Sequence, residues 1–589
     1  MSPEGSAKAR PLADPAAWGL AALGLGLGLW GIGWGLPNED RLRRVLPPEH
    51  RTEAFHRALA DSWTALHRRL GQNLMTNPEA WSAHFSGVAR SEAGWTQPPE
   101  VLANSLRSFF IRSEQEDEQS TLLALSRMRP RSLQFNPHLF VYGGTYVYSV
   151  GLCLAAGAAA GFVSLRPSLQ SYLADPASMA TLYLAGRLLS VAAFVASALL
   201  LLRIGRRHLD SAAGAVAGLL FLLTPGVIVP AHVLKVHMFW TVFGLLTLDK
   251  AVDVLRDGRL RDYAWAGAFA GLTVGACLMG WPACLIVACA GALRLARGGS
   301  FVEEGKGLVL SGAAAFGTAL ATNPYWALDF PSFSGEIRYL SGLSTFNLLN
   351  PWIFFSRAYW PAATGPIAAL TIGGALLAYK RRGAEPALLL ALCTLAAALA
   401  AMATNGNGVD GPGQVRYFLP WLAVGHLLAA RLLVALWRRE APGRAWLRLG
   451  LASAVVHLGL SGFAYSRNFH EAGTSRSTHA RSGEWIEANV PPGSTIGLLR
   501  MPQPSNSPFF RLDRYALVVI EAGRVGAATA GELPRFMILT LPYDLGMRDR
   551  LDRYALAASF EAGGPLPWIQ VDPRATTANP TILIYRLKS

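Results

Sequence analysis

The chain has 589 residues, of which 52% are hydrophobic and only 15% charged, and its formal net charge is +15. Soluble domains carry roughly 25% charge, so the composition excludes a string of ordinary soluble domains. It also argues against nucleic acid as a partner, because most of the basic excess falls in short loops between apolar stretches long enough to cross a bilayer.

In chain order, residues 1–16 read as a flexible cytoplasmic tail. The first apolar stretch, 18–36, holds Gly26, Gly28 and Gly31 at the spacing of a dinucleotide-binding turn. No strand precedes them, so they are assigned to helix packing. No cleavable signal peptide is expected, since this stretch opens the membrane domain. Further candidate spans are 182–204, 212–231, 237–255, 264–279, 281–297, 307–325, 359–379, 386–404, 416–437 and 445–465.

The stretch 139–163 decides the topology. If it does not cross, there are about eleven transmembrane helices. One face then collects Lys8 and Arg10; Arg203, Arg206 and Arg207; Lys250, Arg256, Arg259 and Arg261; Arg294, Arg297 and Lys306; Lys380, Arg381 and Arg382; and Arg438, Arg439, Arg444 and Arg448. Positive charge marks that face as cytoplasmic. If it does cross, the N-terminus and the later basic loops fall on opposite faces. The stretch is therefore read as an interfacial or re-entrant helix pair, which Tyr142, Gly143, Gly144, Tyr146 and Tyr148 suit.

The expected architecture is a polytopic all-α membrane domain over 17–465, with non-spanning juxtamembrane helices in an extracytoplasmic loop, 37–181. A small extracytoplasmic α/β domain follows at 466–589. In this tail Trp485 and Ile486 sit on a first helix, the turn Pro491–Ser494 follows, and Ala516–Ile520, Phe536–Leu541 and Thr581–Tyr585 read as strands. The five cysteines, Cys153, Cys277, Cys284, Cys289 and Cys393, lie in apolar segments, which leaves the exported parts no disulfide framework.

Chemistry is sought first in the outward loop. Glu114, Glu116, Asp117 and Glu118 crowd ahead of a helical run, Gln119–Met128, and Glu39-Asp40 follow the first span. Acids at a helix start are ordinarily caps or dipole partners. Beyond them come Asn136-Pro137-His138 and Tyr142-Gly143-Gly144. This order resembles the GT-C superfamily of membrane glycosyltransferases. Within it, the chain is similar to the branch of dolichyl-phosphate-mannose–protein mannosyltransferases and lipid A aminoarabinose transferases, where an acidic pair in the first exported loop precedes helices that do not span. Arg187-Leu188-Leu189-Ser190, the string Ala231–His237, Asn323-Pro324-Tyr325 with Asp329, and Arg416-Tyr417-Phe418-Leu419-Pro420 resemble later family segments in the same order. Two departures stand out. A long insertion precedes Asp117, and His237 stands where many members have a second acid.

The resemblance implies a glycosyltransferase, hexosyl or pentosyl, that moves a sugar from a polyprenyl-phosphate donor to a glycan, lipid or protein acceptor on the extracytoplasmic face. Asp117 would be the general base and Glu118 its partner, with Asp40 and Glu39 as alternative acids. Lys235, His237, Arg187 and Arg416 would hold the donor phosphate, each weighed against simple snorkelling at a span end. Asn136, His138, Tyr142 and Tyr417 would line the cavity. His232 reads as interfacial and Arg431 as snorkelling. No cofactor is required. A divalent cation is an open option that His50, His56, His67, His84 and His138 do not support by spacing. The expected setting is a bacterial inner membrane. The competing class is a transporter or lipid flippase, which shares the spans but for which no inverted repeat is visible.

Overall fold

The computed structural model describes residues 14–70, 88–342, 346–404, 411–440, 442–521, 533–564 and 566–588. Lys8, Arg10 and His84 lie outside the described residues.

Helices occupy each apolar stretch picked from the sequence. Local chemistry sets many of their starts. Asp14 accepts from Ala16 N ahead of Pro15, Asn38 accepts from Arg41 N, and Asp210 accepts from Ala212 N and Ala213 N. By length and apolarity, five helices can cross a membrane: Pro176–His208, Leu278–Leu295, Pro386–Thr404, Pro412–Trp437 and Arg444–Ala472. Two further candidates are bent pairs, Ser211–Leu223 with Pro225–Ala231 at 66° and Asn350–Ala363 with Gly365–Lys380 at 117°. This measure gives five to seven crossings among the described residues, so the expected eleven are matched by helices in position but not in number. Pro15–Leu29 has only 15 residues, while Val236–Asp257 carries Asp249, Lys250, Asp253 and Arg256 in its second half.

The 139–163 stretch contains one helix, Gly144–Ala159, of 16 residues. At 1.5 Å per residue it is about 24 Å long, shorter than the hydrocarbon core. It is a single helix where the sequence suggested a pair, and Tyr146 is buried in the protein at 1% exposure.

The basic loops converge on one end of the bundle. Arg206 pairs with Asp14, Arg207 with Asp253 at 2.8 Å, Arg438 with Asp210 at 2.7 Å, and Arg297 donates to Arg382 O. Arg431 does not snorkel: its guanidinium grips Glu385 at 2.6 and 2.9 Å.

The opposite end carries the only sheet among the described residues. Its strands are β1 (Val88–Arg90), β2 (Thr495–Leu498), β3 (Ala516–Ile520), β4 (Phe536–Leu541), β5 (Tyr554–Phe560) and β6 (Thr581–Leu587), in the order β1-β3-β2-β4-β6-β5. β2 is parallel to β3 and β4, and the remaining pairs are antiparallel. β1 comes from the loop after the first helix, so loop and tail share one sheet. Helix Thr478–Asn489 covers it with Ile486 fully buried, and Arg44 of the loop reaches Glu484 of that helix at 2.7 Å.

Candidate active site

The site forms where three chain breaks meet. The first is the start of helix Glu118–Arg127, with Asp117 at its N-cap position. The Asp117 side chain makes no capping bond, so capping does not explain it. The second is the interrupted helix after Thr224. Pro225 lacks an N–H and restricts the residue before it, which bends the chain there. The helix ends at Ala231, and the irregular link to Val236 delivers Lys235. The third is the 3₁₀ segment Pro412–Phe418, which carries Arg416 and Tyr417 into the following span.

Lys235 Nζ lies 3.0 Å from Asp117 Oδ2 and donates to the Tyr142 hydroxyl. Arg416 Nη2 is 4.0 Å from the same carboxylate oxygen and 3.2 Å from the Tyr417 hydroxyl. The His237 ring packs edge-on against Tyr417, with centroids 5.2 Å apart, and neither of its nitrogens has a hydrogen-bond partner among the described residues. Arg416 Nε is also buried without one. Lys235 is 3% exposed while the Asp117 side chain is 46% exposed. Asp117 is thus half-exposed beside a buried lysine. Burial works against its ionisation, but the charges of Lys235 and Arg416 outweigh that, with a smaller help from His237, and hold its carboxyl well below the ordinary range.

The cavity beside this cluster measures about 120 Å³. Lys235, His237 and Arg416 form its polar wall, Gly226, Val229 and Val233 its apolar wall, and Tyr543 and Thr576 of the tail close it. The tail therefore covers the site. Gln115, Tyr543 and Arg574 also line the cavity and were not picked from the sequence, where no spacing or motif marks them. Glu116, next to Asp117, accepts from Ser505 Oγ at 2.5 Å. Burial and the Asp117 charge raise its carboxyl above the usual value against the pull of Ser505, Arg112 and Arg500.

Six residues read from the sequence meet here: Asp117, Lys235, His237, Arg416, Tyr142 and Tyr417. The others do not. Glu118 and Arg187 are each 0% exposed and saturate one another through two 2.8 Å bonds. Arg187 also donates to Ile32 O and Trp34 O, and Glu118 accepts from Leu234 N and Ser113 Oγ. Both are fully buried and engaged with each other and with the chain, apart from the Asp117 cluster, and together they tie the acidic loop to the bundle. Glu39 is held by Arg51 at 2.7 and 2.9 Å, and Asp40 by Arg44 at 3.1 Å, on the exposed face of the short helix Glu39–Val45. Asn136 and His138 gather on Asp329 instead, at 2.7 and 3.5 Å. His232 is not interfacial: it is buried and stacks on Phe469 at 4.3 Å. No group of three His, Cys, Asp or Glu side chains among the described residues could hold a metal ion.

No family model matches the sequence, and no curated protein matches it. Solved structures do resemble the fold. ArnT from Cupriavidus metallidurans bound to undecaprenyl phosphate aligns at 12% identity over 97% of this chain and 98% of that one, with a TM-score of 0.40. The oligosaccharyltransferase AglB from Archaeoglobus fulgidus, in complex with an inhibitory peptide and a dolichol-phosphate, aligns at 12% identity over 85% of this chain and 74% of its own, with a TM-score of 0.40. The arabinofuranosyltransferase AftD from Mycobacteria aligns at 11% identity over 98% of this chain but 42% of its own length, with a TM-score of 0.37. All three are GT-C glycosyltransferases, the superfamily whose motifs the sequence resembles. At these scores the likeness assigns no residue a role.

Proposed function

We propose that this chain is a multi-pass membrane glycosyltransferase that moves a sugar from a polyprenyl-phosphate donor to an acceptor hydroxyl, with Asp117 as the general base. The observation that carries this reading is the half-exposed Asp117 carboxylate set 3.0 and 4.0 Å from Lys235 and Arg416, two cations that line a cavity. Two cations face one carboxylate. The excess of one positive charge suits the single negative charge of a phosphodiester, the linkage in a sugar–phosphate–polyprenyl donor. Lys235 and Arg416 would hold that phosphate and stabilise the charge that grows on it as the bond from the anomeric carbon to the phosphate oxygen breaks. The acceptor oxygen forms the new bond to that carbon, and its proton passes to Asp117. The apolar wall around Gly226, Val229 and Val233 would take the first lipid units. His237 and Tyr417 would bound the sugar. The basic end of the bundle would be cytoplasmic by the positive-inside rule, which supports an extracytoplasmic site; a bacterial inner membrane is the proposed setting.

A transporter reading draws on the two sharply bent helix pairs, since broken helices often surround transported substrates. Both readings are separated by one experiment. Asp117→Asn is expressed in membranes and transfer of labelled sugar from the endogenous polyprenyl-phosphate pool is followed. The transferase reading expects a loss of about 100-fold or more at unchanged protein level. Full transfer by the variant removes Asp117 from the reaction, and lipid movement without transfer by the parent chain supports the transporter.

A further inference from the structure

The tail sheet turns one particular edge towards the candidate active site. β2 and β4 are parallel neighbours, with Ile496 opposite Phe536 and Leu498 opposite Ile538. Beyond their carboxyl ends the chain parts. From β2 it goes on to β3 on one flank, and from β4 to β5 and β6 on the other. In open α/β sheets such a divergence opens a crevice outside the strand ends, where ligands bind. Here both loops reach the site. The loop after β4 places Pro542 and Tyr543 on the cavity wall. The loop after β2 brings Ser505 Oγ to 2.5 Å from Glu116 Oε1, one residue before Asp117.

The two loops are fastened to each other. Thr540 Oγ1 donates to Asn506 O at 2.9 Å, and Thr540 N donates to Asp544 Oδ2 at 2.9 Å. Arg500 Nη2 donates to Tyr543 O at 3.2 Å, and its guanidinium lies 5.7 Å from the Tyr543 ring centroid. The phenol is thereby held in a set position, as a recognition group must be, and it interacts with Ser505 and with the charges of Glu116 and Asp117. The chemistry of this wall differs from that of the bundle. The bundle offers two cations and the apolar patch around Val229 and Val233, whereas the tail offers the hydroxyls of Tyr543, Thr576 and Thr577. Thr577 Oγ1 is buried and has no hydrogen-bond partner among the described residues. A hydroxyl both donates and accepts, which matches the hydroxyls of a sugar; an apolar chain against this wall would leave such groups unpaired.

We infer that the crevice at the carboxyl ends of β2 and β4 is the acceptor subsite, that Tyr543 contacts the acceptor, and that the acceptor is a glycan presenting a sugar hydroxyl to Asp117. Ser505 is a positioning residue that acts through Glu116 and Tyr543. In the reaction the acceptor oxygen bonds to the anomeric carbon and its proton passes to Asp117. The bond from that carbon to the phosphate oxygen breaks, and its electron pair stays on the phosphate. This inference rests on the transferase reading above and adds the acceptor to it.

The test uses the full chain in lipid nanodiscs. The donor is the labelled polyprenyl-phosphate sugar pool extracted from cells, and rising amounts of membranes from a strain lacking the chain supply the acceptor. Tyr543→Phe should raise the apparent acceptor KM about five- to ten-fold and keep the donor KM within two-fold. Ser505→Ala should shift the acceptor KM about three-fold in the same direction, and Ser505→Thr should recover it. Loss of folded protein alone would lower the active fraction and move neither KM. An acceptor KM within two-fold of the parent chain in Tyr543→Phe, or equal rises in both KM values, overturns the acceptor subsite. After mild acid and protease treatment the labelled product should run as a saccharide of two or more units. Label on peptide, or label running only as monosaccharide, overturns the glycan class. If the parent chain transfers no more label than Asp117→Asn, the transferase reading fails and this inference falls with it. Transfer that needs Asp117 but ignores Tyr543 overturns the acceptor subsite alone.

Discussion

Glu118 and Arg187, read from the sequence as chemistry, pair with each other in the structure. A charge inside an apolar stretch calls for a reason, and in the sequence that reason looked like a substrate. In the structure it is a partner 69 positions away, which one sequence cannot reveal. Removing one member leaves the other charged and buried. Arg187→Ala should therefore cost about 3–5 kcal/mol, while Arg187→Met with Glu118→Leu should cost much less, as read by thermal denaturation in detergent. Glu114 makes a separate prediction. It is 2% exposed, its Oε2 has no hydrogen-bond partner among the described residues, and His479 Nε2 lies 3.9 Å away. Burial raises its carboxyl to about 8, against the pull of Arg41 and Arg187. A carboxyl whose folded value lies above its unfolded value supports folding at low pH and loses that support as pH rises towards the folded value. Stability should fall between about pH 4.5 and 8, and Glu114→Gln should flatten that slope; an unchanged slope would remove Glu114 as its source. Asp117 has the opposite sign, so its ionisation should impose no acid limb on the rate between pH 5 and 8.

At the scale of elements, the breaks matter more than the spans. Hydropathy locates apolar stretches well, which is why helices fall where they were expected. It says little about whether a helix is bent, short or continuous, since those depend on prolines, glycines and contacts from distant segments. Gly143 and Gly144 illustrate the point. They looked like interface residues beside tyrosines. Their actual use is close packing: Gly143 N donates to Ala276 O, and Gly144 N donates to Asn323 Oδ1 at 2.5 Å. The Asn323 amide also donates to Gly275 O. These bonds hold Tyr142 beside Lys235. Asn323→Leu removes partners from two buried backbone groups and should cost about 1–3 kcal/mol. Transfer should fall further than stability alone explains, because Tyr142 loses its anchor. Equal loss of both in a paired Tm and activity measurement would make Asn323 purely structural.

At the scale of the whole molecule, the two large polar segments act as one body. The sequence separated a loop, 37–181, from a tail, 466–589, and marked both as polar segments outside the spans. Their union was not legible, because β1 is only three residues long and its partner is remote. Side-selective labelling checks the arrangement. In a background without the native cysteines, Asp40→Cys and Glu484→Cys should react with a membrane-impermeant thiol reagent from one side and Arg382→Cys from the other. Labelling of the first two from opposite sides would contradict the shared sheet. That sheet also imposes an order on biosynthesis. Val88–Arg90 leaves the ribosome long before Ala516–Ile520, by roughly 20 to 85 s at elongation rates of about 5–20 residues per second. Through that interval the early segment waits without its neighbour, and the lid over Asp117 is missing. On the transferase reading, a nascent or prematurely terminated chain is an unfinished catalyst, and translation to the last strands completes it.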